Sequence, residues 1–479
     1  MDGAHQTPEP RSRAAAWVVA SAFALVSLLT IVWAPSGCQS PPGSIRAQRL
    51  PMPPSPLSVP GAAPQAGGGS NGLAEAPPRP LPPTVEPLVR VRVGTVRAGE
   101  AVTVSSPVGA LRVHEVESEE APRTIGAQVI VAAESAGWSL SAPGGAGRTT
   151  LPHLRPLEVE CASRGAERGV VEWNGVRWPG SLRLVARTEQ GTVDVVAVVP
   201  LETYLPGVLA KELYRTWDLE TFRAQAVAAR SYAICEAAHW KGKRHFDLVA
   251  GEASQAWVGE TKDSKSLRAV ADTRGQVLTF EGRVVPAYYS SCCGGAAADA
   301  AASISRNPWH DIAPLSAGRT PAGRRTHCCE AAPTHDWEQR LSAAEVGRRL
   351  ASWGRENGRP DLGALNAVAS IQVLEVNAAG RPVRFRVTDA AGAGADLPAE
   401  DLRYAMNASF EGDPSAKGRL RSSFVEVDVA GGEALFHGHG HGHGVGLCQF
   451  GAEAMARSGQ RWPDILARYY PGATVVRAW

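Results

Sequence analysis

An excess of charge is what this sequence most plainly lacks. Its 49 Lys and Arg stand against 47 Asp and Glu, a formal net charge of +2 over 479 residues. Holding a phosphate backbone calls for a concentrated basic face, so nucleic acid is excluded as the leading partner. Internal repeats and heptads are missing too, which removes solenoids and coiled coils and leaves an α+β fold as the economical expectation. Between Arg13 and Arg46 charge is absent altogether. That gap opens with residues 14–35, AAAWVVASAFALVSLLTIVWAP, preceded by Arg11 and Arg13. About 20 apolar residues suffice to span a bilayer, and basic residues ahead of the span predict that the following chain lies outside the cytoplasm. Residues 1–35 therefore read as a signal anchor, a single hydrophobic helix, or as a signal peptide. Ser36-Gly37-Cys38 leaves lipidation of Cys38 open as another route, with Pro35 where such sites carry Leu. By any of these routes the expected location is the extracytoplasmic cell envelope, with membrane contact through the N-terminal segment.

Turn-forming residues are abundant, at 50 Gly and 36 Pro. Fifteen of those prolines fall between Pro35 and Pro87, together with the tract Gly67-Gly68-Gly69-Ser70-Asn71-Gly72, and no hydrophobic period runs through the segment. Residues 36–87 read as a disordered, semi-extended linker that buries too little apolar surface to fold. Alternation over 88–93 and 102–104 with recurrent turn signals predicts a β-rich region across 88–190, including a hairpin closed by Asn174-Gly175. Over 191–479 helices and strands mix. Residues 193–199 read as a strand. Residues 219–238 read as an amphipathic helix with Leu219, Phe222, Ala226, Ala229 and Ala233 on one side and Thr216 or Asp218 as N-cap.

Three ordered blocks carry chemical content. The first holds Leu201-Glu202-Thr203-Tyr204-Leu205-Pro206-Gly207-Val208 and Lys211-Glu212-Leu213, then Ala224-Gln225-Ala226-Val227-Ala228-Ala229-Arg230-Ser231-Tyr232-Ala233. The second runs from Arg274-Gly275-Gln276 to Tyr288-Tyr289-Ser290-Ser291-Cys292-Cys293-Gly294-Gly295. The third is GHGHGVGLCQFGA at 440–452, followed by Tyr469-Tyr470-Pro471-Gly472. In this order they resemble the sporulation stage II protein D / LytB family, in which an EDYLxGVxxxEM stretch precedes a helix written LKAQAVAARTYA. The resemblance spans 89–479 and is densest from Val193 onward. It implies a mixed helix/strand catalytic domain acting on peptidoglycan glycan strands.

The resemblance places the catalytic acid of the lytic-transglycosylase members on Glu212. Cleavage that forms a 1,6-anhydro sugar can run on one carboxyl, whereas hydrolytic glycosidases usually need two. The flanks Val208-Leu209-Ala210 and Leu213-Tyr214 suit a carboxyl that must carry a proton, while Lys211 would favour the ion. Substrate contacts are expected from Gln225, Arg230, Tyr232, Ser290, Ser291, His443 and Gln449, with a salt bridge as the rival role for Arg230 and a core position for Tyr232. In an extended strand, the run FHGHGHGHG at 436–444 would set four imidazoles on one face and invite a metal. His443 belongs to the family block and is accounted for without one.

The cysteines are Cys38, Cys161, Cys235, Cys292, Cys293, Cys328, Cys329 and Cys448. In an oxidising compartment the adjacent pairs suggest disulfides between Cys292/Cys293 and Cys328/Cys329. The rival is zinc on those thiolates with His327 or His335. Zinc-binding sporulation members draw ligands from the region after the helix, where this chain has His239, His245 and Asp247.

Three functions compete. The main expectation is a lytic transglycosylase acting through Glu212 with no cofactor. The LytB branch implies a non-catalytic, glycan-binding amidase enhancer whose partner is a cell-wall amidase. A metal-dependent hydrolase built on the His run is the third, and it alone would be sensitive to chelation. None of the three requires a host that sporulates.

Overall fold

The computed structural model describes residues 78–135, 137–145, 147–162, 169–251, 253–317, 327–408 and 418–479. The anchor or signal at 1–35, Cys38 and the linker up to Ala76 and Pro77 lie outside them, and among the described residues no helix is long and apolar enough to cross a membrane. The described chain is α+β, as expected. Order begins before Leu88. Arg79 is buried, and its guanidinium donates to the carbonyls of Phe280, Arg283 and Val284 at 3.1, 3.2 and 3.2 Å. Glu86 accepts from the Glu202 N–H at 3.1 Å. Charge-assisted bonds fix this proline-rich stretch, which has no hydrophobic period to announce it.

Strand β1 (Leu88–Arg97) pairs antiparallel with β2 (Thr192–Pro200), Val89 opposite Val199 and Val91 opposite Ala197. Both belong to a seven-stranded sheet that continues through Ser181–Arg187, Leu157–Cys161, Leu111–Glu115 and Arg123–Ile125, with Leu248–Val249 parallel to β1 on the other edge. The boundary read at 190/191 thus falls between paired strands. A six-stranded sheet shares a core with the first through Val91, Val104, Val131, Trp138, Leu184 and Val195. Its edge is the expected hairpin: Asn174 and Gly175 have φ of 53° and 73°, and Trp173 faces Val176, as a two-residue turn with left-handed centres requires.

β2 leads into α1 (Leu201–Glu212), and α2 (Leu219–Trp240) follows. Asp218 caps α2 by accepting from the Glu220 N–H at 2.8 Å. The helix is not one-sided: from Thr221 to Cys235 all residues but Arg223 are buried, against α1, the helix Ser264–Asp272 and the C-terminal helices. Alanine is small enough to admit neighbours on every side and too weakly apolar to reveal it in the pattern. Within this core Arg230 meets Glu202 through Nε at 3.1 Å and Nη2 at 2.8 Å, and donates from Nη1 to the carbonyls of Ala226 and Gln276. The pair ties α2 to α1, and removing one partner of such a buried pair costs about 3–5 kcal/mol.

Further on, β3 (Tyr289–Ser290) pairs in parallel with β4 (Leu447–Cys448), which opens directly into α3 (Gln449–Arg457). Between them the chain builds two three-stranded sheets and the helices Ala343–Glu356 and Ala399–Asn407 around a second core of Val346, Leu350, Phe385, Leu402 and Phe436.

Candidate functional site

α1 stops at Glu212 because Leu213 turns to extended backbone, φ −117° and ψ 152°. The Glu212 carboxyl therefore projects from a helix C-terminus, the end of the dipole least hospitable to an anion. It is half-buried, and Lys211 beside it is exposed. Oε1 accepts from the Ala256 N–H at 2.8 Å, and Oε2 from the Gln449 side-chain amide at 3.4 Å. Behind it, Gln255 donates to Tyr289 Oη at 3.1 Å and to the Ala229 carbonyl at 3.3 Å, and accepts from Tyr204 Oη at 3.1 Å. Burial, reinforced by the charge of Glu212, holds both tyrosine hydroxyls well above their usual range, so they stay neutral donors. In front lies a ledge: Tyr214, 59% exposed, packs on Trp217 at 5.2 Å and Phe450 at 6.1 Å between ring centroids. An exposed ring two residues beyond a carboxyl offers a flat surface for the apolar face of a sugar.

β3 and β4 set Ser290 opposite Cys448, immediately before Gln449. The adjoining turns lie in near contact: a Cβ on Gly440 would stand 2.5 Å from the Cys292 carbonyl oxygen. The His run does not continue as a strand. It ends at His439, and Gly440, Gly442, Gly444 and Gly446 take φ of 77°, 93°, 77° and 67°. Left-handed backbone at every second residue coils the chain, so the four imidazoles do not share a face. His437 lies 3.2 Å from Glu338, and His439 lies 2.6 Å from Asp336. His443 accepts from the Val445 N–H through Nδ1 at 3.0 Å and stands edge-on to Tyr288 at 5.8 Å. Burial lowers its pKa to about 4, which makes it a neutral imidazole with the hydrogen on Nε2.

The expected substrate residues separate into groups. Gln449 contacts Glu212, and Ser291 joins them through its carbonyl, which accepts from the Phe450 N–H at 3.1 Å. Gln225 is fully buried, and neither its amide nitrogen nor its oxygen has a protein partner; Ser290 Oγ is likewise unpartnered. Such orphans are rare in folded proteins. Arg230 does not serve the cleft: it is fully buried and committed to Glu202 and two carbonyls. Tyr232 is core, edge-on to Tyr288 at 5.4 Å and Tyr289 at 6.4 Å.

Sequence reasoning passed over Gln255 and Ala256, which lie in a loop with no periodic signal. It also passed over Glu236, one turn beyond Tyr232 on α2, whose carboxyl burial pushes up to about 7 although Trp240 Nε1 donates to it at 3.1 Å. A hollow of about 430 Å³ in the β-rich region, lined by Ala98, Gly99, Glu134, Leu154 and Thr192 among others, contains none of the site residues.

Among the described residues, His239, His245 and Asp247 do not come together as a metal-ligand group. His245 Nε2 lies 2.8 Å from Asp194, and Asp247 accepts from the Arg90 N–H at 2.8 Å. Among the described residues, the group of three or more metal-ligand side chains within reach of one another is Cys292, Cys329 and Cys448. Cys293 Sγ is 3.7 Å from Cys329 Sγ, and these four thiols are unbridged. Hydrogen bonding to Cys329, with burial, pushes the thiols of Cys292 and Cys293 up to about 12, and the same contacts drive Cys329 far down. Cys328 is half-buried beside the cluster, His335 Nδ1 is bonded to Asp336 at 2.8 Å, and the side chain of His327 lies outside the described residues.

Residues 189–280, which hold β2, α1 and α2 with Glu212 and Gln225, match the family model described as SpoIID, Stage II sporulation protein. Over this stretch the chain is similar to the SpoIID family. Its relatives agree with the resemblance read from the motifs. Stage II sporulation protein D of Bacillus subtilis is 27% identical over 354 residues, 70% of this chain and 88% of that one. An uncharacterised protein of Brachyspira hyodysenteriae is 27% identical over 307 residues, 63% and 73% of the two chains. The amidase enhancer of Bacillus subtilis is 25% identical over 311 residues, 57% of this chain but only 40% of that longer protein. The SpoIID match stops at 280, so Ser290, His443 and Gln449 lie outside it, and of these Gln449 meets Glu212 through the fold.

Proposed function

We propose that this protein remodels peptidoglycan as a lytic transglycosylase, with Glu212 as its one acid/base. The carrying observation is the setting of that carboxyl: half-exposed, oriented by an N–H and an amide, with neutral tyrosines behind and an aromatic ledge beside it. In this reading a glycan strand lies along Tyr214, and Glu212 protonates the leaving glycosidic oxygen. The resulting carboxylate then takes the proton of the sugar's own 6-hydroxyl as that oxygen closes on the anomeric carbon. No water is consumed, so a second carboxylate to activate one is not needed. Gln449 follows the carboxyl through both steps, and Ser290 and His443 supply polar contacts. Strands stripped of stem peptides are the substrate the family resemblance favours.

The second reading is a non-catalytic enhancer that grips glycan for a cell-wall amidase. It is favoured by the relative named amidase enhancer. Mass analysis of sugars released from denuded strands separates the two. Ends bearing 1,6-anhydro sugar support the transglycosylase. Binding without products, together with faster peptide release by an added amidase, supports the enhancer. Either activity requires an extracytoplasmic body, which an anchor or lipid at the N-terminus would tether to the membrane.

A further inference from the structure

We propose that Cys292, Cys293, Cys329 and Cys448 form a tetrathiolate site for a single soft divalent ion, zinc by preference. The sulfur geometry carries the argument. Four thiolates around one zinc at about 2.3 Å stand about 3.8 Å from each other. Here the ligand atoms of Cys292, Cys329 and Cys448 all lie within 4.8 Å of one another, and Cys293, outside that mutual reach, stands 3.7 Å from Cys329 and completes the set by closing in on the ion. A disulfide would join two of these sulfurs and strand the other two in a buried pocket. A multi-iron cluster needs its thiolates spread wider than one ion does.

The surroundings suit bound thiolates. The Cys293 N–H points at Cys448 Sγ at 3.3 Å and the Gly294 N–H at Cys292 Sγ at 3.5 Å, the outer-shell donors that metal thiolates favour. Four thiolates on a divalent ion leave net negative charge. The fully buried guanidinium of Arg381, which also faces Glu400, lies beside Cys292 and Cys293 and donates to the Cys293 carbonyl at 3.4 Å. On binding, the thiol protons leave to solvent and the sulfur lone pairs go to the ion.

The site would work as a clasp. It ties the turn after Ser290-Ser291, the segment at Cys329 and the strand before Gln449, three stretches far apart in sequence. It holds Gln449 and Ser290 where Glu212 requires them, and it stands whether or not Glu212 cleaves glycan.

The test is elemental analysis and native mass spectrometry of the full chain, purified without chelator. About one zinc per chain is expected, falling to under about a tenth in Cys292→Ser and in Cys448→Ser and unchanged in Cys235→Ser. Because those variants can fail to fold, cobalt loading of the wild type gives a second readout. Intense sulfur-to-cobalt charge-transfer bands support the site, as do cluster thiols that react with a thiol reagent only after the ion is withdrawn. A wild-type chain that takes up neither zinc nor cobalt overturns the proposal, as does a Cys293–Cys329 disulfide mapped in the freshly purified protein.

Discussion

Helix α1 carries a glutamate near each end, and the two are put to opposite uses. Glu202, in the first turn, is buried and closed by the Arg230 guanidinium and the Gly275 N–H at 2.9 Å. Glu212, at the last position, is half-exposed and meets an N–H and an amide. The same side chain ten residues apart is a structural anion in one place and, in the proposed function, a proton carrier in the other. Partner and access make the difference. A carboxylate locked in a two-point grip with a guanidinium offers a substrate neither a lone pair nor a route for a proton, whereas one oriented by neutral donors offers both.

Substitution at the two ends is the strongest way to sharpen or break this contrast. Glu202→Gln leaves Arg230 buried without its counter-charge, and a loss of about 3–5 kcal/mol is expected in urea denaturation. Glu212→Gln is expected to stay within about 1 kcal/mol of wild type in the same experiment, as a surface-facing change does. Equal losses would break the comparison. Gln449→Ala removes one bond to the acid and should lower strand turnover about tenfold, the worth of a hydrogen bond to a charged group, with little change in KM.

The pattern that made these elements legible was local. Alternation announced β1, the run of valines β2, Asn174-Gly175 the hairpin, and Asp218 the start of α2. Glu212 and Gln449 came from motifs that resemble a known family. That β1 would pair with β2 across some hundred residues, or that Gln255-Ala256 would come round beneath Glu212, is decided by tertiary closure and leaves no periodic trace. Arg230 shows the limit best. A helix position gives no sign of whether a guanidinium will face a substrate or a buried carboxylate, because the deciding partner, Glu202, sits on another helix. The His run leaves its strand after His439 for a readable reason: alternate glycines permit left-handed backbone, and all four at 440–446 use it.

Two smaller effects sharpen the picture of α2. Glu236 keeps its proton up to about pH 7 in the folded chain, against 4.5 for an ordinary glutamate. Between those values the native state holds a proton that the unfolded chain has released, so stability falls as pH rises through the window. Glu236→Gln should flatten that fall in thermal melts at stepped pH, and an unaltered slope would assign it to another group. Asp218→Ala removes the cap of α2 and should cost about 1 kcal/mol in the same melts.

The central claim is that Glu212 does the chemistry while Glu202 only holds the scaffold. The most direct measurement incubates wild type and Glu212→Gln with denuded glycan strands, following strand binding and released sugars together. The account predicts equal binding, with anhydro-ended products falling by about 10²–10⁴-fold in the variant, the range a general acid contributes. Undiminished products from Glu212→Gln would contradict it.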